Sequence, residues 1–499
     1  MVTLQKKNNF DSTKIHTIYP VPDDVKWTSI KLSEVAEQKY RFEANVFNIE
    51  AKHAREIIKN GYYSLLNLFS NDGFIKRAVY PTRFKRIYVK KQDGIEFYMP
   101  SQLVEINPKP TKYISPLTNV NFEELKVNEH ELLLTRSGTI GNITLVTKTL
   151  LNKIFSDDVI RIRLFNDNDL GYVYSFLKSS VGQILLKTNN YGSVVSHIEP
   201  DHLSNIQIPN PDNRLKNRIN DFIIGSFSLR DKSNELIETA QQILISELEL
   251  PPIEDIIKQY FLIKDDIENF TIRVKNLLNR FDCSFHHPIV KGIIQLLKKK
   301  SKEIKLLGDS EVSSNIILPG RFKRVYVEED QGVVFFGGKQ LLELNPSEKK
   351  YLSLVHHAGR IKNQLTLKQN MILITCSGTI GKVALVPKHW EGWTANQHII
   401  RVVSKDANIA GYLYTWLNSD YGCELIKRFT YGSVVDEIDN HQVGQIHLPI
   451  LKDFDKMKEI NDLVLSANDL RYEAYILEQK AIKLVNEEVI FRGSKEPFL

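Results

Sequence analysis

The chain repeats itself at a nearly constant distance along the sequence. Three short motifs occur twice in the same order: RFKRIYV at 83–89 and RFKRVYV at 321–327, SGTIG at 137–141 and 377–381, and YGSVV at 191–195 and 431–435. The offset is 238 residues for the first motif (321 − 83) and 240 for the other two (377 − 137 and 431 − 191). Motifs that recur in one order at one offset indicate a duplicated domain. The chain is therefore expected to contain two similar but unequal modules.

Composition places the chain among ordinary globular proteins. Its 499 residues are 42% hydrophobic and 25% charged, and the net charge of +6 permits nucleic-acid binding through a local patch without establishing it. The three cysteines, Cys283, Cys376 and Cys423, have no disulfide or metal-site spacing. No apolar run approaches the roughly 18 residues that span a bilayer, and the N-terminus lacks the apolar core of a signal peptide. We therefore expect a cytoplasmic protein without membrane contact.

Each copy has the same predicted order of secondary structure. Apolar residues at helical or alternating spacing, broken by Gly, Pro, Asn and Asp, define the elements. The paired predictions are helices at 51–60 and 290–300, buried strands at 132–135 and 372–375, further strands at 159–163 and 399–402, helices that open at Gly171 and Gly411, and closing strands at 206–209 and 446–449.

A long helix is predicted after each copy. Residues 212–249 and 454–489 contain no proline, and their apolar residues recur at roughly 3.5-residue spacing, so each helix would be about 55 Å long. Gly225 costs the first helix about 1 kcal/mol relative to alanine. Because a globular copy lies between the two helices, we expect them to pair antiparallel along an apolar seam. The predicted fold is α+β: two repeated α/β domains and two long helices that form an antiparallel coiled coil with pseudo-two-fold symmetry.

The RFKR motif places three cations and one aromatic residue within four positions. On a strand, Arg83 and Lys85 would share one face, and Phe84 and Arg86 the other. The cations could then reach phosphates or base edges, and arginine is the commonest specific reader of guanine in the major groove. A solvated strand is the alternative interpretation, but recurrence at a fixed offset favours contact with DNA, a ligand that itself repeats.

The two glycine-containing motifs are weaker signals. SGTIG lacks the lysine and the spacing of a Walker phosphate loop, which favours a structural turn that touches the DNA backbone. The tyrosine of YGSVV fits a core position and a contact position equally well. Taken together, the repeated motifs give these candidate DNA-binding residues: Arg83, Lys85, Arg86, Tyr88, Ser137, Thr139, Tyr191 and Ser193 in the first copy, and Arg321, Lys323, Arg324, Tyr326, Ser377, Thr379, Tyr431 and Ser433 in the second.

Catalytic and metal-binding motifs find little support. The chain has no amide-binding motif of amino-methyltransferases and no glycine-rich cofactor loop after a strand, and its histidines match no metal-site spacing. A nuclease-like pattern can be traced through Asp23, Glu37 and Lys39, but it has no counterpart in the second copy. We therefore predict neither a catalytic residue nor a metal site, and a stand-alone DNA nuclease is kept as an alternative.

In this order, the motifs resemble the specificity subunit of type I restriction-modification systems, over about residues 27–489. The resemblance is carried by RFD at 280–282, SGTIG at 377–381, GY at 411–412, YGSVV at 431–435 and LP at 448–449, with first-copy counterparts at 41–43, 137–141, 171–172, 191–195 and 208–209. It implies target-recognition domains at 1–211 and 251–451, and long helices at 212–250 and 452–492.

The resemblance also implies a function for the chain. The chain would be a non-catalytic DNA reader, with one recognition domain for each half of a split target and the helices setting the gap. It would dock two methyltransferase subunits, which carry S-adenosylmethionine, and a restriction subunit that uses ATP and magnesium, while binding no cofactor itself. Glu43 stands where the second copy has Asp282, and the residues that follow differ, so the target should be asymmetric. A DNA-recognition adaptor of another methylation or phage-defence complex is the remaining alternative.

Overall fold

The computed structural model describes residues 30–37, 40, 44–188, 197–260, 262–264, 267–277, 279–347, 349–432 and 434–492. Its α-helices, numbered in chain order, are α1 Leu32–Glu37, α2 Ile49–Lys59, α3 Phe122–Leu125, α4 Leu170–Lys178, α5 Ser180–Thr188, α6 Asn213–Glu247, α7 Ile253–Tyr260, α8 Cys283–His286, α9 Pro288–Lys300, α10 Leu354–Arg360, α11 Ala407–Leu417, α12 Asp420–Lys427, α13 Asn440–Gly444 and α14 Phe454–Leu484. A π-helical segment, Val485–Ile490, continues α14. Within the described part of the chain, no helix is both long and apolar enough to cross a membrane.

The strands are short and fall into matching sets. In chain order they are β1 Leu65–Asn67, β2 Ile75–Val79, β3 Ile95–Phe97, β4 Lys112–Ile114, β5 Leu132–Thr135, β6 Ile143–Leu145, β7 Val159–Leu164, β8 Gln207–Pro209, β9 Leu262–Lys264, β10 Ile267–Asn269, β11 Glu303–Leu306, β12 Ser313–Ile317, β13 Tyr326–Val327, β14 Gly332–Phe336, β15 Lys350–Ser353, β16 Ile372–Thr375, β17 Val383–Leu385, β18 Thr394–Ala395, β19 Ile399–Ser404 and β20 His447–Ile450.

Each copy is built on the same four-stranded antiparallel sheet. The order is β2-β7-β5-β6 in the first copy and β12-β19-β16-β17 in the second. The register repeats as well, since Leu132 pairs with Ile162 and Ile372 pairs with Val402. A strand pair closes each copy, β1 with β8 and β11 with β20. The duplication and the buried strands predicted from the sequence are confirmed.

The RFKR segments differ from the prediction because they are not regular strands. In the first copy, Tyr88 forms only an isolated bridge to Ile114, and in the second copy strand β13 begins at Tyr326. Backbone hydrogen bonds hold each segment at its C-terminal end. In the first copy, Ser115 N donates to Ile87 O at 2.8 Å. The predicted alternation of faces is nevertheless present, because Phe84 packs on Phe97 with ring centres 6.3 Å apart.

The two long helices, α6 and α14, pair antiparallel as predicted. Ser226 Oγ donates to Ala474 O at 2.7 Å, while Arg218 near the start of α6 lies 3.7 Å from Glu488 beyond the end of α14. Their 35 and 31 residues correspond to about 52 Å and 47 Å of helix. The α+β fold with two long antiparallel helices is thus confirmed.

The middle of the helix pair is not the apolar seam that the sequence suggested. Leu470 and Leu477 lie half-buried. Apart from Phe227, the buried side chains at the centre of the pair are small or polar: Ser226, Ser233 and Asn234 from α6, and Ala467, Asn468, Arg471, Ala474 and Glu478 from α14. Small residues let the helix backbones approach closely, and each buried polar side chain needs a hydrogen-bond partner. Some of these partners lie in the domains, since Asn468 Nδ2 donates to Val386 O at 2.9 Å.

Each long helix also completes the hydrophobic core of the other copy. The core of the second copy includes Ile237, Ala240 and Leu244 from α6. The core of the first copy includes Ala481 from α14 and Val485 just beyond it. The two copies are therefore joined by shared cores as well as by chain connectivity.

The repeated Gly-Tyr pair marks the point where each domain meets its long helix. Gly171 N donates to Asn220 Oδ1 at 2.8 Å, and Gly411 N donates to Asn461 Oδ1 at 2.9 Å. A Cβ atom at Gly411 would lie 2.4 Å from the carbonyl oxygen of Asn461, so a larger residue cannot fit without moving the helices apart. Glycine is required here for close approach.

We predict that Gly411→Ala destabilises the protein by about 1–3 kcal/mol through overpacking against α14. The control is Gly359→Ala in helix α10, where an added Cβ meets nothing within 4 Å and alanine should be neutral or slightly stabilising. Urea unfolding of the full chain measures both variants. Equal unfolding midpoints for the two would contradict the proposed close contact.

Candidate nucleic-acid interface

The RFKR segment of the first copy turns two cations outward and one inward. The Arg83 side chain is 80% exposed, with Nε 3.9 Å from Asp157 Oδ2, and Lys85 is exposed. Arg86 instead forms an ion pair with Asp157, whose side chain is only 4% exposed, and its guanidinium lies 5.5 Å from the centre of the Phe97 ring. Arg83 and Lys85 can reach a ligand, whereas Arg86 is engaged within the domain.

The second copy repeats this division between outer and inner cations. Arg321 is 78% exposed and lies 3.0 Å from Glu437 Oε1, and Lys323 is exposed. Arg324 donates to Gln397 Oε1 at 2.8 Å, and its guanidinium lies 5.6 Å from the centre of the Phe335 ring. Arg324, like Arg86, therefore holds the RFKR segment against its own domain.

A tyrosine and a lysine flank each segment in the same geometry. Tyr88 is 47% exposed and Tyr326 is 42% exposed. The Nζ atom of Lys112 lies 5.2 Å from the centre of the Tyr88 ring, and Lys350 Nζ lies 5.2 Å from the centre of the Tyr326 ring. Each copy thus has an exposed aromatic ring two residues after RFKR and a cation beside that ring, a combination suited to a nucleic-acid surface.

SGTIG is a tight turn between two strands, as the sequence indicated. Gly378 and Gly381 have φ angles of +76° and +87°, and Thr375 Oγ1 donates to Thr379 O at 2.6 Å. Ser377 is half-buried and bridges to Glu437, while Ser137 is half-buried and bridges to His197. Thr139 and Thr379 are exposed. Thr379 lines a cleft against the first copy.

The three repeated motifs converge in the second copy. One shallow depression is lined by residues from all of them and from the strand ends between them: Arg321, Ser377, Gln397, His398, Val434, Val435 and Glu437. Tyr431 is 42% exposed, and its backbone forms an isolated bridge with Glu437, one of the residues that line this depression. The predicted residues Tyr191, Ser193 and Ser433 lie outside the described residues.

The surroundings of two histidines of this surface lower the pKa of each. Burial lowers the pKa of His398, and Arg324 and Arg321 lower it further. Burial and then His356 and Arg360 lower the pKa of His357, whose Nε2 receives the Val325 amide hydrogen at 3.1 Å. Among the residues described, no group of three or more His, Cys, Asp or Glu side chains could hold a metal ion. Asp23 and Lys39 of the nuclease-like pattern lie outside the described residues, as does the Glu37 side chain.

Several residues of this surface were missed by the sequence analysis. Asp157 and Asp158 of the first copy occupy the positions of Gln397 and His398 in the second, at the offset of 240. Likewise His197 occupies the position of Glu437. A search for repeated motifs finds what the two copies share, so residues at which the copies differ give no such signal.

An exposed apolar side chain also recurs beside each segment without belonging to a shared motif. Leu117 and Val355 are each 87% exposed and are separated by the offset of 238. Each follows a serine whose amide bonds to the RFKR segment, Ser115 to Ile87 O and Ser353 to Val325 O. Both therefore lie two residues from a backbone contact with Ile87 or Val325, the residue that directly follows RFKR.

A family match covers much of the second copy. Residues 344–463 match the type I restriction modification DNA specificity domain, which confirms the resemblance found in the sequence. No curated protein has a significant sequence match to this chain.

Several solved structures are similar to this chain. The S subunit of a type I restriction-modification system from M. genitalium is 12% identical, with a TM-score of 0.30, over 88% of this chain and 98% of that one. The HsdS subunit from Thermoanaerobacter tengcongensis is 13% identical, with a TM-score of 0.26, over 85% and 97%. A chain from a structure on complex assembly and conformational transition of the type I R-M system is 13% identical, with a TM-score of 0.26, over 87% and 100%.

We predict that Arg86→Ala destabilises the protein by about 1–3 kcal/mol, because it leaves the buried Asp157 carboxylate without its cation. Arg83→Ala is the matched control, since that exposed side chain lies farther from the same carboxylate and should change stability by less than about 0.5 kcal/mol. Chemical unfolding of the full chain measures both. The assignment of Arg86 to a structural role is wrong if the two variants unfold alike.

Proposed function

We propose that this chain, whose residues 344–463 match the type I restriction modification DNA specificity domain, reads a bipartite and asymmetric DNA target. The single observation that carries the proposal is the duplicated surface. The two copies expose equivalent cations at equivalent positions: Arg83 and Lys85 in the first, and Arg321 and Lys323 in the second. Two such surfaces on one rigid chain suit a duplex target with two separated halves.

The chemistry around the outer arginines supports an asymmetric target. Arg83 lies beside Asp157, whereas Arg321 lies beside Glu437 and lines one depression with Gln397 and His398. Donors and acceptors at base edges distinguish base pairs in the major groove, so different side chains on the same frame should select different bases. The residues that the copies share would position each domain on DNA. The side chains that differ between the copies would determine which base sequence each domain reads.

The helix pair supports the docking of partner subunits. Helices α6 and α14 run antiparallel between the domains and are related by the same pseudo-symmetry as the sheets. Two equivalent outer surfaces suit two copies of one partner. We propose that these partners are methyltransferase subunits carrying S-adenosylmethionine, and that a restriction subunit using ATP and magnesium joins the same complex. In this proposal the chain binds no cofactor and performs no catalysis.

We predict that the double variant Arg83→Ala with Lys85→Ala loses discrimination at one half-site only, by about tenfold or more. The matched control is Arg321→Ala with Lys323→Ala, which should affect the other half-site. The measurement is selection of bound duplexes from a pool of randomised DNA by the purified full chain, followed by sequencing.

The alternative outcome is distinct. If a variant binds all DNA more weakly but keeps both half-site preferences, its cations contact phosphates and carry no sequence information. A shallower salt dependence of binding would accompany that result.

A further inference from the structure

The two recognition domains touch each other directly, beside the helix pair. Glu105 of the first domain and Glu343 of the second form an isolated antiparallel bridge, and Ile106 N donates to Leu342 O at 2.9 Å. Glu105 and Glu343 are equivalent positions of the two copies, at the offset of 238. The contact therefore lies at the pseudo-two-fold axis, where the same segment of each domain meets its own counterpart.

An ion pair across this contact joins a nearly buried carboxylate to a cation of the other domain. Lys382 Nζ lies 3.1 Å from Glu105 Oε1, and the Glu105 side chain is 7% exposed. Burial raises the pKa of Glu105, and Lys382 opposes that rise. A charged group so little exposed depends on its partner, so separating the two domains would leave this carboxylate uncompensated.

Further contacts hold the same arrangement. Lys109 Nζ donates to Asn418 O at 2.9 Å, and Lys91 Nζ lies 2.9 Å from Glu254 Oε1, so two more lysines of the first domain reach residues beyond α6. Asn234 of α6 donates to Ile106 O at 2.8 Å, which ties the contact segment to the helix pair.

The lysine of this ion pair has no counterpart in the first copy. The position equivalent to Lys382 in the first copy is Asn142, at the offset of 240, which carries no charge to offer Glu343. Glu343 instead accepts a hydrogen bond from Ser347 N at 2.8 Å within its own domain. Divergence between the copies has thus placed a lysine beside Glu105 but an uncharged residue at the equivalent position of the first copy.

We propose that the Glu105–Lys382 pair and the bridge beside it determine the length of the gap between the two half-sites. The proposal rests on the bipartite reading proposed above. Changing the gap by one base pair moves the half-sites by about 3.4 Å along the duplex and turns them by about 35°. Domains that must follow such a change cannot keep a 3.1 Å ion pair and a paired backbone bridge. The helices place the domains, and this contact stops them from sliding or turning.

The test is selection of bound duplexes from a pool of randomised DNA by the purified full chain, with the gap length read from the recovered sequences. The wild-type chain is expected to recover one gap. Lys382→Ala should recover the same half-sites with neighbouring gaps as well, and its preference for the original gap should fall by about tenfold, equivalent to ~1.4 kcal/mol. The charge-swapped double variant Glu105→Lys with Lys382→Glu should restore much of the single gap.

Two more variants separate this effect from a general loss of ion pairs or of folding. Lys148→Ala removes a lysine–glutamate pair between the first domain and α6 and should leave the gap unchanged. Lys109→Ala removes an exposed cross-domain contact at little risk to the fold and should broaden the gap by a smaller factor. If Lys382→Ala does not fold, the gap lengths recovered by Lys109→Ala test the proposal by themselves.

The possible failures can be told apart. If folded Lys382→Ala and Lys109→Ala both keep the single gap of the wild type, the contact does not set the gap and the proposal is overturned. If the wild-type chain itself recovers no two-part target, the proposed function fails instead.

Discussion

The fold depends on a polar interaction at the centre of the helix pair. Glu478 of α14 is buried and accepts hydrogen bonds from Tyr174 of the first domain and, at 3.0 Å, from Arg230 of α6. Burial pushes the pKa of Glu478 upward, but Arg230, Lys178 and Tyr174 outweigh it and hold the pKa below its ordinary value. One carboxylate thus joins both helices to a domain, and a displaced helix would leave that charge buried without a partner.

Rigidity of the whole chain follows from this centre. Each long helix begins against its own domain, at Asn220 and Asn461, and ends inside the core of the other domain. The direct contact at Glu105 and Glu343 adds a third connection between the domains. A protein that reads two separated half-sites needs such rigidity. If its two domains could move relative to each other, it would also bind half-sites separated by gaps of other lengths.

The recognition surface shows where prediction from the sequence stops. The motif at 83–89 was identified as cationic, and the alternation of its faces was predicted, but Arg86 could not be assigned to Asp157 since 71 residues separate them. The partners of the inner arginines come from the strand ends, where the copies differ. Tertiary structure alone brings those residues beside the motif and divides the cations into outward and inward pairs.

The duplication, the order of elements, the two long helices and their antiparallel pairing can be predicted from the sequence, because these follow from local patterns and from a constant offset. Three features could not be predicted: the mostly small and polar centre of the helix pair, the residues that each core takes from the other copy's helix, and the approach of Lys382 to Glu105. Contacts between residues 277 positions apart have no local pattern, since they depend on how closely two packed bodies approach.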